Sequence, residues 1–175
     1  CYLHALLDGR DVGVQSALDF TEPFEQLFSE LKSQRAEIDY AFASGGGREV
    51  VTMDRDNNWE KVEAGWKIHV KGDAENRFPS IRNAIEHFRK LDPEIIDQDI
   101  PGFVIVRNGE AVAKIEDQHA LIFTNFRSDR ASEFSEAMLV DDFPHFERKA
   151  RPKVMFAGMT QYDQDNEIPP DFLAG

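Results

Sequence analysis

The run Tyr2-Leu3-His4-Ala5-Leu6-Leu7-Asp8-Gly9-Arg10-Asp11 decides how the chain folds. Six mostly apolar residues broken by an Asp-Gly turn describe a buried strand whose exit carries charge. Phe20, Phe24, Leu27, Phe28 and Leu31 follow at helical spacing, with Thr21 as N-cap and Pro23 in the first turn. Ile38, Tyr40 and Phe42 then alternate ahead of Ser44-Gly45-Gly46-Gly47-Arg48, predicting a second strand that discharges into a flexible, charged loop. Strand, helix, strand is thereby set, and the rest of the chain continues it. Trp59, Val62, Trp66 and Val70 mark one helix, and Ile81, Ile85 and Phe88 another, capped by Ser80. Phe103 to Ile115 holds two β-rich runs joined at Asn108-Gly109, the pair suited to a two-residue hairpin. Ala120 to Phe126 reads as a buried strand, Arg127 to Arg130 leads into a helix bearing Phe134 and Met138, and Val154 to Ala157 is the last strand. The alternation predicts a three-layer α/β/α fold with a mixed sheet and one β-hairpin.

Composition narrows the function. At 175 residues and 41% hydrophobic content the chain supports one domain with a core. A formal charge of −13 with no basic block excludes a nucleic-acid partner. The longest apolar runs fall far below the ~20 residues of a bilayer span, so no membrane partner is expected. A lone Cys1 fits a reducing compartment, and the expected location is cytoplasmic. The opening on Cys1-Tyr2-Leu3, without Met, reads as the interior of a longer chain.

Charged side chains gather at strand exits: Arg10 after the first strand, Arg48 after the second, Arg127 and Arg130 after the fifth. Ligands of open α/β sheets sit beyond the carboxyl ends of strands, and a guanidinium fork matches phosphate or carboxylate. A small organic phosphate is the ligand these features fit. The competing explanation for each arginine alone is a surface ion pair with the abundant acids. Asp11 is either an acceptor for a substrate hydroxyl proton or an ordinary turn aspartate. The triple glycine completes neither a dinucleotide fingerprint nor a P-loop. Asp54 to Asn58 begins like a calcium loop, but Trp59 and Gly65 occupy the positions of its glycine and glutamate. Ser44 lacks an adjacent base and reads as a loop serine, and the five histidines, without metal-ligand spacing, read as surface or core-edge residues.

Leu7-Asp8-Gly9-Arg10-Asp11, Ala43-Ser44-Gly45-Gly46-Gly47-Arg48, Thr52-Met53-Asp54-Arg55-Asp56 and Phe123-Thr124-Asn125-Phe126-Arg127-Ser128-Asp129-Arg130-Ala131, in this order and spacing, resemble the cofactor-independent phosphoglycerate mutases. The resemblance covers nearly the whole chain, and its Gly-Gly-Gly-Arg form is most similar to the plant and trypanosomatid branch. It implies that residues 1–157 are the inserted substrate-binding, or phosphotransferase, domain and that 158–175 begin the linker returning to a phosphatase-like domain. That second domain of the same chain would be the protein partner. The implied reaction interconverts 3-phosphoglycerate and 2-phosphoglycerate, a step of glycolysis and gluconeogenesis, through a phosphoserine intermediate. By motif position Arg10, Asp11, Arg48, Arg55, Arg127 and Arg130 would bind substrate, and Asp11 would handle hydroxyl protons. No cofactor is expected in this stretch. The two divalent ions, usually Mn2+, and the serine nucleophile would belong to the phosphatase-like domain, so the chain by itself is expected to bind without turning over. The alternative from a different class is a free-standing anion-binding module with regulatory or scaffold duties. An autonomous phosphatase or nuclease would need a metal-ligand set or nucleophile-base pair that the sequence does not offer.

Overall fold

A computed structural model describes residues 1–149 and 151–173. The architecture is the mixed α/β one that the alternation predicted, with helices flanking a mixed sheet in α/β/α layers. Length alone argued for one compact domain, but the chain divides into two compact units, Cys1–Val51 with Lys67–Lys114 and Thr52–Trp66 with Ile115–Gly175.

In the first unit, β1 (Tyr2–Leu7) runs parallel to β2 (Ala41–Gly47), which is antiparallel to β4 (Phe103–Arg107); β3 (Asn76–Phe78) lies parallel to β4 on its far side. The hairpin forms where expected: β5 (Glu110–Ala111) folds back on β4 with Asn108 at φ 54° and Gly109 at φ 83°. Helices α1 (Ala17–Gln34) and α3 (Ile81–Leu91) pack together over one sheet face, where Leu7, Phe42, Ile81, Ile85, Phe88, Phe103 and Ile105 form a closed apolar cluster. Ser80 caps α3 as predicted, its hydroxyl accepting from the Asn83 N–H at 3.2 Å.

Three expectations change in this unit. The glycine triplet is not a flexible loop but the buried end of β2, and a Cβ there would meet Phe103, Val51 and the Gln98 backbone at 2.6, 2.7 and 2.1 Å. Backbone packing, which only glycine permits at these distances, is the reason. Helix α1 begins four residues before Thr21, because Asp97 Oδ2 accepts from the Ala17 N–H at 2.7 Å and caps the helix from a distant loop. Pro23 consequently sits inside the helix, and the expected apolar face stays half open, with Phe20, Phe24 and Leu27 45–55% exposed.

In the second unit β6 (Ala120–Phe123), β7 (Met155–Gly158) and β8 (Asp171–Phe172) form a parallel three-stranded sheet. The strand expected over 120–126 is shorter and not buried: Ala120 and Ile122 are exposed, and Phe126 is 76% exposed. Its inward Phe123 packs edge-on against Phe134, Phe156 and Tyr162. Helices α2 (Trp59–Gly65) and α4 (Ser132–Leu139) pack together, and Trp66 is fully buried beside Phe146. Trp59 stacks on His145, so both tryptophans have the packing role expected of them. A π-helical turn, Trp66–Val70, follows α2 directly.

Candidate functional site

The parallel pairing of β1 and β2 aligns Leu7 with Gly47, so the two strands end side by side. The turn after β1 and the residues after β2 are thereby brought together. Gly9, at φ 64°, turns the chain after β1, and its hydrogen leaves room for Asp97, whose Cβ an alanine methyl would approach to 2.9 Å. After β2 the Arg48 N–H donates to the Leu7 carbonyl at 2.9 Å, and its side chain reaches back across the exit. Arg48 Nη1 donates to Asp8 Oδ1 at 2.5 Å and to Asp11 Oδ2 at 3.0 Å. Asp8 Oδ2 accepts from the Asp11 backbone N–H at 3.2 Å. Arg48 is 9% exposed, and burial alone would weaken its hold on the proton, but the two carboxylates outweigh burial and push its pKa above the ordinary arginine value. Arg10 projects from the same turn and is exposed.

The second unit holds Arg55, Arg127 and Arg130. Asp54, 3% exposed, organises the loop that presents Arg55: its Oδ2 accepts from the backbone N–H groups of Asp56 and Asn58 at 2.9 and 2.7 Å. This is an Asx-type turn in place of a calcium loop. Arg55 pairs with Asp129 at 3.3 Å. Arg127 is exposed, with its carbonyl accepting from Asn125 Nδ2 at 2.7 Å, whereas Arg130 is buried in the 3-10 turn Ser128–Arg130 that precedes α4. Nearby in sequence, Glu133 is buried, and desolvation raises its carboxyl pKa, with Asp54, Glu136 and Asp56 adding to the rise against the Asn57 N–H.

Two features escaped the sequence. Asp8 was read as part of a turn, and nothing in its spacing told of the shared contact with Arg48 and Asp11. Ser44 is not a loop serine. Its hydroxyl, 1% exposed, lies 2.7 Å from both His4 Nδ1 and His69 Nδ1, joining β1, β2 and the π-helical turn on the sheet face opposite the apolar cluster. Burial drives the His4 pKa down to about 4, and burial together with His4 drives His69 well below its ordinary value. Both histidines are therefore neutral; His69 is an interior group instead of the surface or edge residue expected, the partly buried His4 lies at the core edge, and the sealed Ser44 is a structural node.

Among the described residues no three His, Cys, Asp or Glu side chains stand together as a metal-ion donor set. Among the described residues, too, no helix is long and apolar enough to cross a membrane.

Residues 1–164 match the family model described as the BPG-independent PGAM N-terminus. The chain belongs to this phosphoglycerate mutase family. Its members include a probable 2,3-bisphosphoglycerate-independent phosphoglycerate mutase of Leptospira interrogans, 49% identical over 172 residues, and the 2,3-bisphosphoglycerate-independent phosphoglycerate mutase of Trypanosoma brucei brucei, 43% identical over 173 residues. Each match covers 98% of this chain and 31% of the relative. A crystal structure of Leishmania mexicana phosphoglycerate mutase at low cobalt concentration superposes with a TM-score of 0.93 at 43% identity, over 99% of this chain and 31% of that one. The chain thus corresponds to an N-terminal domain of the mutase family and spans about 31% of the length of these relatives.

Proposed function

We propose that this mutase-family domain binds phosphoglycerate for the interconversion of 3-phosphoglycerate and 2-phosphoglycerate, in a cytoplasmic enzyme whose phosphatase-like part supplies the nucleophilic serine and the divalent ions. The observation that carries the reading is the buried Arg48 guanidinium held at the paired exits of β1 and β2, with Asp11 in hydrogen-bond contact. A guanidinium fixed at strand ends suits a phosphate or carboxylate, and Arg10 from the adjoining turn adds a second cation. Asp11 is assigned the role of proton acceptor on its motif position, and its side chain, 57% exposed, is open to solvent for that role. When a glycerate hydroxyl attacks the phosphoserine, its oxygen forms the new O–P bond, the serine O–P bond breaks, and the hydroxyl proton passes to the Asp11 carboxylate. Arg55, Arg127 and Arg130 of the second unit are assigned anion-binding roles on their motif positions, as are 1–157 as the binding domain and 158–175 as the start of a return linker.

Calorimetric titration of the chain with 3-phosphoglycerate tests this. We expect saturable binding that Arg48→Lys weakens about tenfold or more, because a point charge cannot replace an oriented fork and a charged hydrogen bond contributes about 1.5–3 kcal/mol. Arg77→Lys, which alters an exposed side chain whose guanidinium donates to the Gly109 carbonyl at the hairpin, should bind like the wild type. Equal affinities for the Arg48→Lys and wild-type chains would overturn the reading.

A further inference from the structure

Asp8 lies outside the residues assigned to substrate, yet its two carboxylate oxygens are divided between two of them. Oδ1 accepts from Arg48 Nη1, and Oδ2 accepts from the backbone N–H of Asp11. One side chain therefore ties the exit of β2 to the turn after β1. Arg48 needs such a tie, because its Nε is buried without a hydrogen-bond partner and the bonds from Nη1 set the direction of the guanidinium. The two carboxylates on Nη1 are not equivalent. The Asp11 side chain is 57% exposed and the Asp8 side chain 30% exposed, so Asp11 is the one with room to turn toward solvent or ligand.

We propose that Asp8 is a positioning residue that keeps the Arg48 guanidinium and the Asp11 main chain in one arrangement, so that the Asp11 carboxylate can leave Arg48 for a substrate hydroxyl while the guanidinium stays in place. This rests on the reading of Arg48 and Asp11 as substrate residues. A purely electrostatic role for Asp8 makes the opposite prediction, since removing an acid beside an anion site strengthens anion binding.

The experiment uses the 175-residue chain with Asp8→Asn, which keeps the shape and removes the charge, and Asp8→Ala as a second variant. Nitrogen-15 relaxation of the Arg48 Nε–H is measured without ligand, and affinity for 3-phosphoglycerate by calorimetry. Amide spectra away from residues 7–11 and 47–49 establish that each variant is folded, and Asp8→Asn alone carries the test if Asp8→Ala is not. We expect the Arg48 side chain to lose order in the variants and 3-phosphoglycerate to bind about tenfold more weakly, the loss of one charged hydrogen bond. An Arg48 side chain as ordered as in the wild type, or unchanged or tighter binding, would overturn the proposal. If the wild type itself fails to bind 3-phosphoglycerate, the substrate reading falls, while the relaxation arm still decides whether Asp8 orders Arg48.

Discussion

At the scale of single residues, the buried polar groups of the first unit fall into two kinds. Arg48 is charged, as arginine is at any ordinary pH, and Asp8 and Asp11 offset the cost of burying that charge. His4 and His69 stay neutral because burial dominates at both, and each nitrogen that faces the Ser44 hydroxyl shares a single proton network with it. This difference has a pH signature. The unfolded chain protonates its histidines near the ordinary value of 6.5, while folded His4 resists down to about 4 and His69 titrates well below 6.5. Between those limits the unfolded state binds more protons, so stability is full above about pH 6.5 and falls as the pH drops. The slope is about 1.4 kcal/mol per pH unit for each histidine. Urea unfolding between pH 7.5 and 5 should show this decline, and His4→Gln should make it shallower. An unchanged slope in His4→Gln would show that His4 titrates alike in both states.

At the scale of elements, local signals were legible wherever the local chain decides the structure. Asn108-Gly109 specified the hairpin and Ser80 specified the start of α3, since both act on neighbours within three residues. Features set by distant residues were not legible. The start of α1 depends on Asp97, 80 residues away, and the path of Gly45 to Gly47 depends on Phe103, Val51 and Gln98. The same limit applied to the site: the arginines at strand exits could be read from spacing, but the Asp8–Arg48–Asp11 contact needs the register of β1 against β2. Two glycines separate the effects of packing and backbone. At Gly47 an alanine methyl would lie 2.1 Å from the Gln98 carbonyl oxygen, so the backbone must shift. Gly47→Ala should cost about 3 kcal/mol or more, at the upper end of overpacking effects. At Gly109, φ is 83° with nothing within 4 Å, and Gly109→Ala should cost only the ~1 kcal/mol of a strained dihedral. Thermal melts of the two variants compare them; equal destabilisation would mean that the β2 terminus is not tightly packed.

At the scale of the whole molecule, the chain matches its mutase relatives along 98% of its own length while covering 31% of theirs, and the proposed function assigns it binding and not turnover. The described residues contain no metal donor set, and their serine with histidine partners, Ser44, is sealed from solvent. Proximity and orientation alone do not supply a nucleophile. Purified chain given 3-phosphoglycerate, with and without Mn2+, should yield no 2-phosphoglycerate; product that survives a control for host enzyme would contradict the proposed assignment of binding without turnover to this chain. Binding is the property that this chain should retain, despite a net charge of −13 that opposes any anionic ligand at long range. The first unit offers one rival location, a cavity of about 370 Å³ lined by Phe28, Tyr40, Phe42, Pro79, Ile105 and Arg107 at the opposite end of β2 from Arg48. An amide-resolved NMR titration with 3-phosphoglycerate distinguishes the two locations directly. Binding at the strand exits predicts saturable shifts at Asp8 to Asp11 and Gly45 to Arg48. Shifts confined to the residues of the cavity, or none at saturating ligand, would contradict it.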